Sequence, residues 1–208
     1  LVRGFEQVAG VDVTVIVNVG DDERFYGLHV SPDVDTVMYT AAGVEGDEGW
    51  GRSGDSFVLM DHLTALGVDT RFRLGDADAA LNMYRTMRLA DGDPLHEIIE
   101  SLAETLGLRA RVLPASNDRL RTEILTHGDE WMPFQEYFVL RGHRDEVRDL
   151  RFSGSSAALP APAVRAFPKR PPGLPGADSA LSRGVFPAAA GTFFPFQLVW
   201  GGHEVPGL

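Results

Sequence analysis

The sequence predicts a mixed α/β fold, in which helices flank a mostly parallel sheet and an antiparallel hairpin is added to it. Two observations support this prediction. Residues 12–19 form a run rich in valine and isoleucine, the pattern of a strand that is buried on both faces. Up to residue 167, the predicted elements follow the order strand, helix, strand, helix, strand and hairpin, which is typical of a sheet covered by helices.

The composition is ordinary for a globular protein and excludes several classes of function. With 208 residues, 44% of them hydrophobic and 24% charged, the chain is long enough to bury a substantial core. The net charge of −11 argues against general nucleic-acid binding, because no basic surface exists to replace the counterions of the phosphates. The absence of cysteine excludes disulfides, thiol catalysis and thiolate metal sites, and it fits a cytoplasmic location.

The sequence also argues against a membrane partner. No apolar run reaches the length of a membrane span, and the first residues lack the pattern of a signal peptide. The chain begins with Leu1 rather than with Met, so we expect it to be a fragment or a product trimmed at its front.

The first third of the chain is predicted to place three helices around the central strand. Apolar residues that recur on one face predict helices over residues 1–9 and 36–42. A third helix is predicted over residues 56–66, with Asp55 as its N-cap and Gly67 directly after its end.

The middle of the chain continues this alternation. Residues 70–74 are predicted to form a short strand, and residues 78–89 the helix that follows it. The clearest helix covers residues 94–106, because proline stands at its start, apolar residues recur at i, i+3, i+4, i+7 and i+11, and glycine follows its end. We expect this helix to pack in the core.

Strands dominate the next part of the domain. Residues 109–113 are predicted to form a strand, and residues 122–125 and 131–140 an antiparallel pair. A further strand is predicted over residues 146–152.

The predicted domain organisation has two parts. Residues 1–167 are expected to form one α/β domain. Residues 168–208 are rich in proline and glycine and show no helical or strand period, so we expect an irregular tail that is poorly ordered or held by scattered contacts.

Three turns rich in aspartate and asparagine follow predicted strands, at residues 18–22, 75–78 and 116–118. Because the carboxyl ends of parallel strands meet at one edge of a sheet, these turns are predicted to face the same cleft. Carboxylates gathered in one place repel one another, and Mg²⁺ binds one or two carboxylates together with phosphate oxygens. The sequence therefore favours a site for a magnesium-bound diphosphate.

The candidate residues also have a simpler interpretation. The residues predicted for the cleft are Asp21, Asp35 and Asp76, with Arg85, Arg88 or Arg121 nearby. The alternative is that each aspartate only caps a helix or stabilises a turn, which is common for this residue type. This alternative applies most directly to Asp33 and Asp78. The six histidines show no spacing typical of a zinc site.

Six short motifs occur in a fixed order along the chain. They are V-N-V-G-D-D (17–22), S-P-D-V-D-T (31–36), G-W-G (49–51), R-L-G-D-x-D (73–78), L-P-A-S-N-D (113–118) and F-Q-E-Y-F-V (134–139). This ordered set resembles the 2-phospho-L-lactate transferase family (CofD/FbiA-like) of coenzyme F420 biosynthesis, over about residues 1–167.

The resemblance implies a Rossmann-like fold and an Mg²⁺-dependent transferase. Such an enzyme would transfer a phospholactyl or phosphoenolpyruvyl group from a guanosine diphospho-donor to the 5′-hydroxyl of the deazaflavin Fo, giving F420-0 and GMP. It also implies a homodimer in the full-length family, with small-molecule substrates as the other partners.

The resemblance further implies roles for individual residues of this sequence. The carboxylates it implies are Asp35 and Asp76 for catalysis, and Asp21, Asp22 and Asp35 for the metal. The residues it implies for the Fo or guanosine cleft are Asn18, Gly20, Asp78 and Arg88. On this basis we expect Asp35→Asn to abolish turnover with little loss of folding.

The sequence departs from the family pattern at three places. The glycine-rich loop expected before the first helix is absent, and Ala77 stands where a basic residue is usual. The S-N-P-x-x-S-I region expected after residue 167 is not kept either, since Phe193 and Phe194 stand where Ser-Asn would be. Two alternatives therefore stay open: a non-catalytic regulator of the same superfamily that binds sugar nucleotides, and an inactive fragment. The regulators tend to continue the G-D-D turn with glycine and serine, whereas this chain has E-R-F-Y-G at residues 23–27, which favours the transferase.

Overall fold

The computed structural model describes residues 2–9, 12–47, 49, 51–128 and 130–166, together with the backbone of Phe196–Gly201. The helices are α1 (Val2–Glu6), α2 (Pro32–Ala42), α3 (Val58–Ala65), α4 (Asp76–Ala90), α5 (Leu95–Thr105) and α6 (Pro162–Arg165). The strands are β1 (Asp12–Val17), β2 (Glu23–Phe25), β3 (Leu28–Val30), β4 (Arg111–Pro114), β5 (Arg121–Thr126), β6 (Trp131–Pro133), β7 (Val147–Ser153) and β8 (Phe196–Gly201). A π-helical turn covers Glu136–Leu140.

The predicted mixed α/β class is confirmed. In the central sheet β1 lies between β4 and β8, parallel to β4 and antiparallel to β8. Strands β2 and β3 form a hairpin, and β6, β5 and β7 form a second, antiparallel sheet with β5 in the middle. The predicted tail, residues 168–208, lies outside the described residues apart from the backbone of β8.

The core lies between β1 and the helices that cover it. Valines at alternate positions of β1 are buried, as the two-residue period of a strand requires. The apolar face of α5 packs into the same cluster, so the predicted periodicity is confirmed through its buried residues Leu95, Ile98, Ile99 and Leu102. No described helix is both long and apolar enough to cross a membrane.

The predicted strand over residues 70–74 is wrong. This segment is irregular and has no partner strand. Side-chain contacts hold it instead: the Tyr26 hydroxyl donates a hydrogen bond to the Phe72 carbonyl, and the Phe72 ring stacks on Phe25 with 3.6 Å between ring centroids. The turn at residues 75–78 therefore follows a loop, and it is not at the carboxyl end of a strand.

The predicted strand over residues 131–140 is only partly present. Its first three residues form β6, and the chain then enters the π-helical turn. Pro133, which lies opposite Glu123 in the ladder, has no N–H group with which to continue the pairing. The strand therefore ends at this residue.

The β2–β3 hairpin was not predicted. Its loop consists of Tyr26 and Gly27, which both have positive φ angles, 54° and 81°. This is the two-residue turn whose twist suits a hairpin, and asparagine or aspartate usually precedes its glycine. Tyrosine at that position hid the signal.

The capping prediction for Asp55 is corrected. The Asp55 carboxylate accepts hydrogen bonds from the backbone N–H groups of Ala77 (2.9 Å) and Asp78 (3.1 Å), at the start of α4. The Asp76 carboxylate accepts hydrogen bonds from Val58 (3.1 Å) and Leu59 (2.9 Å), at the start of α3. Each aspartate thus caps the other helix, and the exchange ties the two helix starts together.

We predict that Asp55→Ala destabilises the protein by about 1 kcal/mol, because two N–H groups at the start of α4 lose their acceptor. Urea denaturation measures the change. The matched control is Asp91→Ala at the exposed end of α4, which we expect to leave stability unchanged. An Asp55→Ala variant as stable as the control would show that the exchanged cap does not contribute.

Candidate functional site

The acidic loop, residues 18–22, leaves β1 at the carboxyl end of the parallel pair, as the sequence predicts. Its neighbours hold it at both sides. The Ala115 N–H donates to the Val17 carbonyl (2.8 Å), and the Thr122 N–H donates to the Gly20 carbonyl (2.5 Å). The loop is therefore fixed between the ends of β1 and β4 and the start of β5.

Two residues of the acidic loop set its path. A Cβ atom on Gly20 would lie 2.7 Å from the Thr122 hydroxyl oxygen, so a larger residue here would require Thr122 to move. The Asn18 Oδ1 atom accepts a hydrogen bond from the Gly20 N–H (2.9 Å), and its Nδ2 donates to Asp33 Oδ2 (2.9 Å). Asn18 thereby joins the loop to the first turn of α2.

The Asp22 carboxylate is held from the hairpin side. Its Oδ2 atom lies 2.9 Å from His29 Nε2 and accepts a hydrogen bond of 2.9 Å from the Ser31 hydroxyl. Asp21 and Asp22 are 6% and 8% exposed. We call Asp21, Asp22 and Asp33 the acidic cluster.

Some carboxylate oxygens of the acidic cluster lack hydrogen-bond partners, and its carboxylates repel one another. The Oδ1 atoms of Asp21 and Asp22 are buried and have no hydrogen-bond partner, an arrangement that costs free energy. Burial raises the pKa of Asp21 to about 6, and the negative charge of Asp22 adds to the shift. Burial raises the pKa of Asp33 to about 8, with Asp21 as the next cause. A cation would relieve this repulsion.

The donor set fits a magnesium ion. Among the described residues, no group of three or more His, Cys, Asp or Glu side chains is arranged to hold a metal by itself. Mg²⁺ does not require such a cage, because it binds through one or two carboxylates and completes its shell with water or phosphate oxygens. Asp21 and Asp22 each offer one unpartnered oxygen for this purpose.

A second set of polar residues, the polar seam, lies between α2 and α4. Its members are Asp35 and Tyr39 on α2, and Asp78, Asn82 and Arg85 on α4. The Tyr39 hydroxyl donates to Asp78 Oδ1 (2.7 Å), and Arg85 donates to Asn82 Oδ1 (2.6 Å). Both sets are spaced at three or four residues, so each lies on one face of its helix.

The centre of the polar seam is an ion pair. The fully buried Arg85 guanidinium donates to both carboxylate oxygens of Asp35, with 3.1 Å between Nη1 and Oδ2. Burial raises the pKa of Asp35 to about 6, and the charge of Arg85, which favours the ionised carboxylate, opposes the shift.

The structure brings some of the predicted site residues together and leaves others apart. Asn18, Gly20, Asp21 and Asp22 share the acidic loop, and Asp35 and Asp78 lie in the polar seam. Asp76 is used at the start of α3, and Arg88 bonds to Asp93, so neither has a described contact with the acidic cluster. The roles predicted for all of them stay predictions.

The third predicted turn, residues 116–118, serves the fold. The Ser116 hydroxyl donates to the Leu159 carbonyl (2.5 Å), and Asp118 Oδ2 accepts from the Leu159 N–H (2.7 Å). Asn117 Oδ1 accepts from the His96 N–H (3.0 Å) in α5. His29 and Ser31, by contrast, support the acidic cluster and were not predicted as site residues: His29 lies in the unpredicted hairpin, and Ser31 directly precedes α2.

Comparison with known proteins decides the family. The sequence model of the family described as 2-phospho-L-lactate transferase CofD matches residues 1–168. The chain belongs to the CofD family. One CofD-like relative, the 2-phospho-L-lactate transferase of Methanopyrus kandleri, is 42% identical over 165 residues, which cover 78% of this chain and 52% of the relative. Another, the phosphoenolpyruvate transferase of Streptomyces griseus, is 40% identical over 168 residues, which cover 78% and 53%.

The chain spans about half the length of the curated CofD relatives it matches. Among solved structures, a member of the UPF0052 family from Bacillus halodurans aligns with a TM-score of 0.49 and 17% identity, covering 79% of this chain and 49% of that one.

The buried ion pair changes what we expect of Asp35. We predict that Asp35→Asn lowers the free energy of unfolding by about 3 kcal/mol or more, because it leaves the charge of Arg85 buried without a partner. The sequence alone had suggested little loss of folding. Urea denaturation measures the change, with Asp69→Asn as the control, since Asp69 binds Arg71 in the same two-point manner at the surface. Equal midpoints for the two variants would contradict the prediction.

The raised pKa values also predict how stability depends on pH. Between the ordinary pKa of 3.8 and the folded values of about 6 and 8, the folded state binds more protons than the unfolded state, so stability falls as pH rises through this window. Without added cation, we expect urea midpoints to decrease from about pH 5 to about pH 8. Asp33→Asn should flatten the upper part of this curve, and a parent curve that rises over this range would contradict the assignment.

Proposed function

We propose that this chain carries the metal-binding carboxylates of an Mg²⁺-dependent transferase, and that they belong to the acidic cluster. The reaction is transfer of a phospholactyl or phosphoenolpyruvyl group from a guanosine diphospho-donor to the 5′-hydroxyl of the deazaflavin Fo, giving F420-0 and GMP. Membership of the CofD family and the names of its relatives support the transferase class. Those names include both a lactyl and an enolpyruvyl enzyme, so the proposal covers either three-carbon group.

One observation supports the acidic loop as the place where the cation binds. Two carboxylate oxygens, Asp21 Oδ1 and Asp22 Oδ1, are buried without partners at the carboxyl end of a parallel strand pair. Ligands of open α/β sheets bind at this edge. A fold that keeps two acceptors unpaired there is prepared for a cation, and a cation there would attract the phosphates of a donor.

Different residues of the chain would bind the metal, orient its ligands and contact the phosphates. Asp21 and Asp22 would hold Mg²⁺, which would neutralise the diphosphate and the charge that develops on the leaving GMP. Asn18 would orient Asp33 through its side-chain amide, and Gly20 would let the loop approach β5. Arg121, next to the residue that binds the loop backbone, has a buried Nε donor without a partner and would donate a hydrogen bond to a phosphate oxygen.

Asp35 and Asp76 enter the proposal in changed roles. Both oxygens of Asp35 are occupied by Arg85, so we propose that Asp35 supports the site rather than binding substrate. Asp76 serves the start of α3, and Asp78 and Arg88 keep the predicted role in the substrate cleft only as part of this proposal. The proposal also includes a homodimer for the full-length protein and a cytoplasmic location, which the absence of cysteine supports.

The test begins with transfer itself. The chain is incubated with Fo, MgCl₂ and the guanosine donor, and F420-0 and GMP are measured with and without EDTA. We expect product only with Mg²⁺. No product at enzyme concentrations equal to the substrate would reject transfer by this chain, and a remaining Mg²⁺ response would then favour binding without turnover.

The Mg²⁺ response is tested separately by thermal unfolding. We predict that Mg²⁺ raises the melting temperature of the parent more at pH 8 than at pH 6, because more of the acidic cluster is ionised at the higher pH. A free Mg²⁺ concentration of 100 times the dissociation constant would stabilise the folded state by about 2.7 kcal/mol.

The variant Asp21→Asn separates function from folding. We predict that it melts at or above the parent temperature without Mg²⁺ and loses the Mg²⁺ response and turnover, because a buried unpartnered carboxylate is removed. Asp91→Asn, on the exposed surface, should keep the parent response. An Asp21→Asn variant with the full Mg²⁺ response would remove Asp21 from the metal site.

A further inference from the structure

We propose that Arg85 is a positioning residue for the acidic cluster, and that it acts through two separate links without touching the cluster itself. The proposal rests on the proposed function, because it assigns to Arg85 the geometry of the carboxylates that would hold Mg²⁺. Arg85 comes from the middle of α4 and has no exposed surface.

The guanidinium of Arg85 joins three elements of the fold. It donates to both oxygens of Asp35 on α2, to Asn82 Oδ1 on α4 (2.6 Å) and to the His29 carbonyl on β3 (3.3 Å). Three of these acceptors lie around Nη1, which carries two hydrogens, so the longest contact, to the His29 carbonyl, shares an N–H with another acceptor. The second oxygen of Asp35 is bound by Nη2, and this two-point contact depends on the planar fork of arginine.

The first link runs through β3 to Asp22. The His29 carbonyl accepts from Arg85, and the His29 N–H donates to the Thr86 hydroxyl (2.7 Å), so α4 holds both sides of this peptide. The His29 ring in turn lies 2.9 Å from Asp22 Oδ2. The position of Asp22 therefore depends on the position of His29 against α4.

The second link runs through α2 to Asp33. Asp35 lies in the first turn of α2, two residues after Asp33, and its N–H closes that turn by donating to the Ser31 carbonyl (2.9 Å). The hold of Arg85 on Asp35 fixes the start of the helix. It therefore fixes where Asp33 meets Asn18 and where the Ser31 hydroxyl meets Asp22.

Stability alone does not explain this arrangement. A buried ion pair is often no more stabilising than an apolar pair of similar volume, because two charges must be removed from water. The planar fork of arginine is needed where several groups must be held in fixed relative positions. Outer groups that orient metal ligands typically change metal affinity by about 10- to 100-fold when they are removed.

The test uses Arg85→Lys, which keeps the charge but loses the fork. The matched control is Arg71→Lys, because Arg71 also binds an aspartate at two points, but at the surface. Mn²⁺ binding is measured by electron paramagnetic resonance below the melting temperature of each variant. Amide hydrogen exchange is measured without metal.

We expect Arg85→Lys to weaken Mn²⁺ binding by about 10-fold or more, and to speed exchange at residues 20–34 but not in β5–β7. The control should match the parent in both measurements. A role confined to stability would lower the melting temperature and leave the Mn²⁺ dissociation constant unchanged, and that result would overturn the proposal.

A second variant covers the case in which Arg85→Lys does not fold. The double change Asp35→Asn and Arg85→Gln removes both charges together, so that neither charge is left buried without a partner. If this variant folds and binds Mn²⁺ as the parent does, the proposal is overturned, whereas weaker binding with faster exchange at residues 20–34 supports it. Exchange also separates the two proposals: a parent that binds no Mn²⁺ rejects the metal site, and unchanged exchange in the variants rejects positioning by Arg85.

Discussion

The ion pair between Asp35 and Arg85 is the contact on which the arrangement of the acidic cluster depends. Removing an arginine from water costs several kcal/mol, and the cost is met only when its acceptors stand in the right places. Here those acceptors come from α2, α4 and β3. These bonds restrict how the three elements pack, and in this packing the start of α2 and the end of the hairpin contact the acidic loop.

The acidic cluster, unlike the ion pair in the polar seam, destabilises the folded protein. A pKa of Asp21 raised from 3.8 to about 6 corresponds to about 3 kcal/mol of unfavourable free energy once the group is ionised. That is a large fraction of the 5–15 kcal/mol by which folded domains are typically stable. Both carboxylate oxygens of Asp35 are paired, and the buried polar seam atom without a partner is a donor, Arg85 Nε, whereas Asp21 and Asp22 each keep one acceptor oxygen without a partner. The unpaired acceptors therefore lie in the acidic cluster, which supports the proposal that a cation binds there.

Local patterns and long-range contacts explain which parts could be predicted from the sequence. Helix α5 and the loop at residues 18–22 were predictable, because the apolar periodicity of the helix and the valine-rich strand before the loop are patterns of neighbouring residues. The exchanged caps of Asp55 and Asp76 join residues about 20 positions apart, and Asp35 meets Arg85 across 50 positions. Spacing along the chain carries no signal for such pairs. Aspartates with similar local sequences therefore took three different roles, as cap, ion-pair partner and unpartnered carboxylate.

The contacts of the acidic cluster can be considered without the residues that the longer relatives have in addition. Among the described residues, the side-chain and loop contacts that hold the acidic cluster lie between β1 and β5: the loop bonds to β5, Asn18 bonds to α2, and the hairpin bonds to α4. The proposed cation site therefore takes its ligands and their supports from one continuous part of the chain. Transfer needs more, since two substrates must be aligned as well as a charge neutralised. Binding of the cation is therefore the first step at which the proposed mechanism can succeed or fail in this chain.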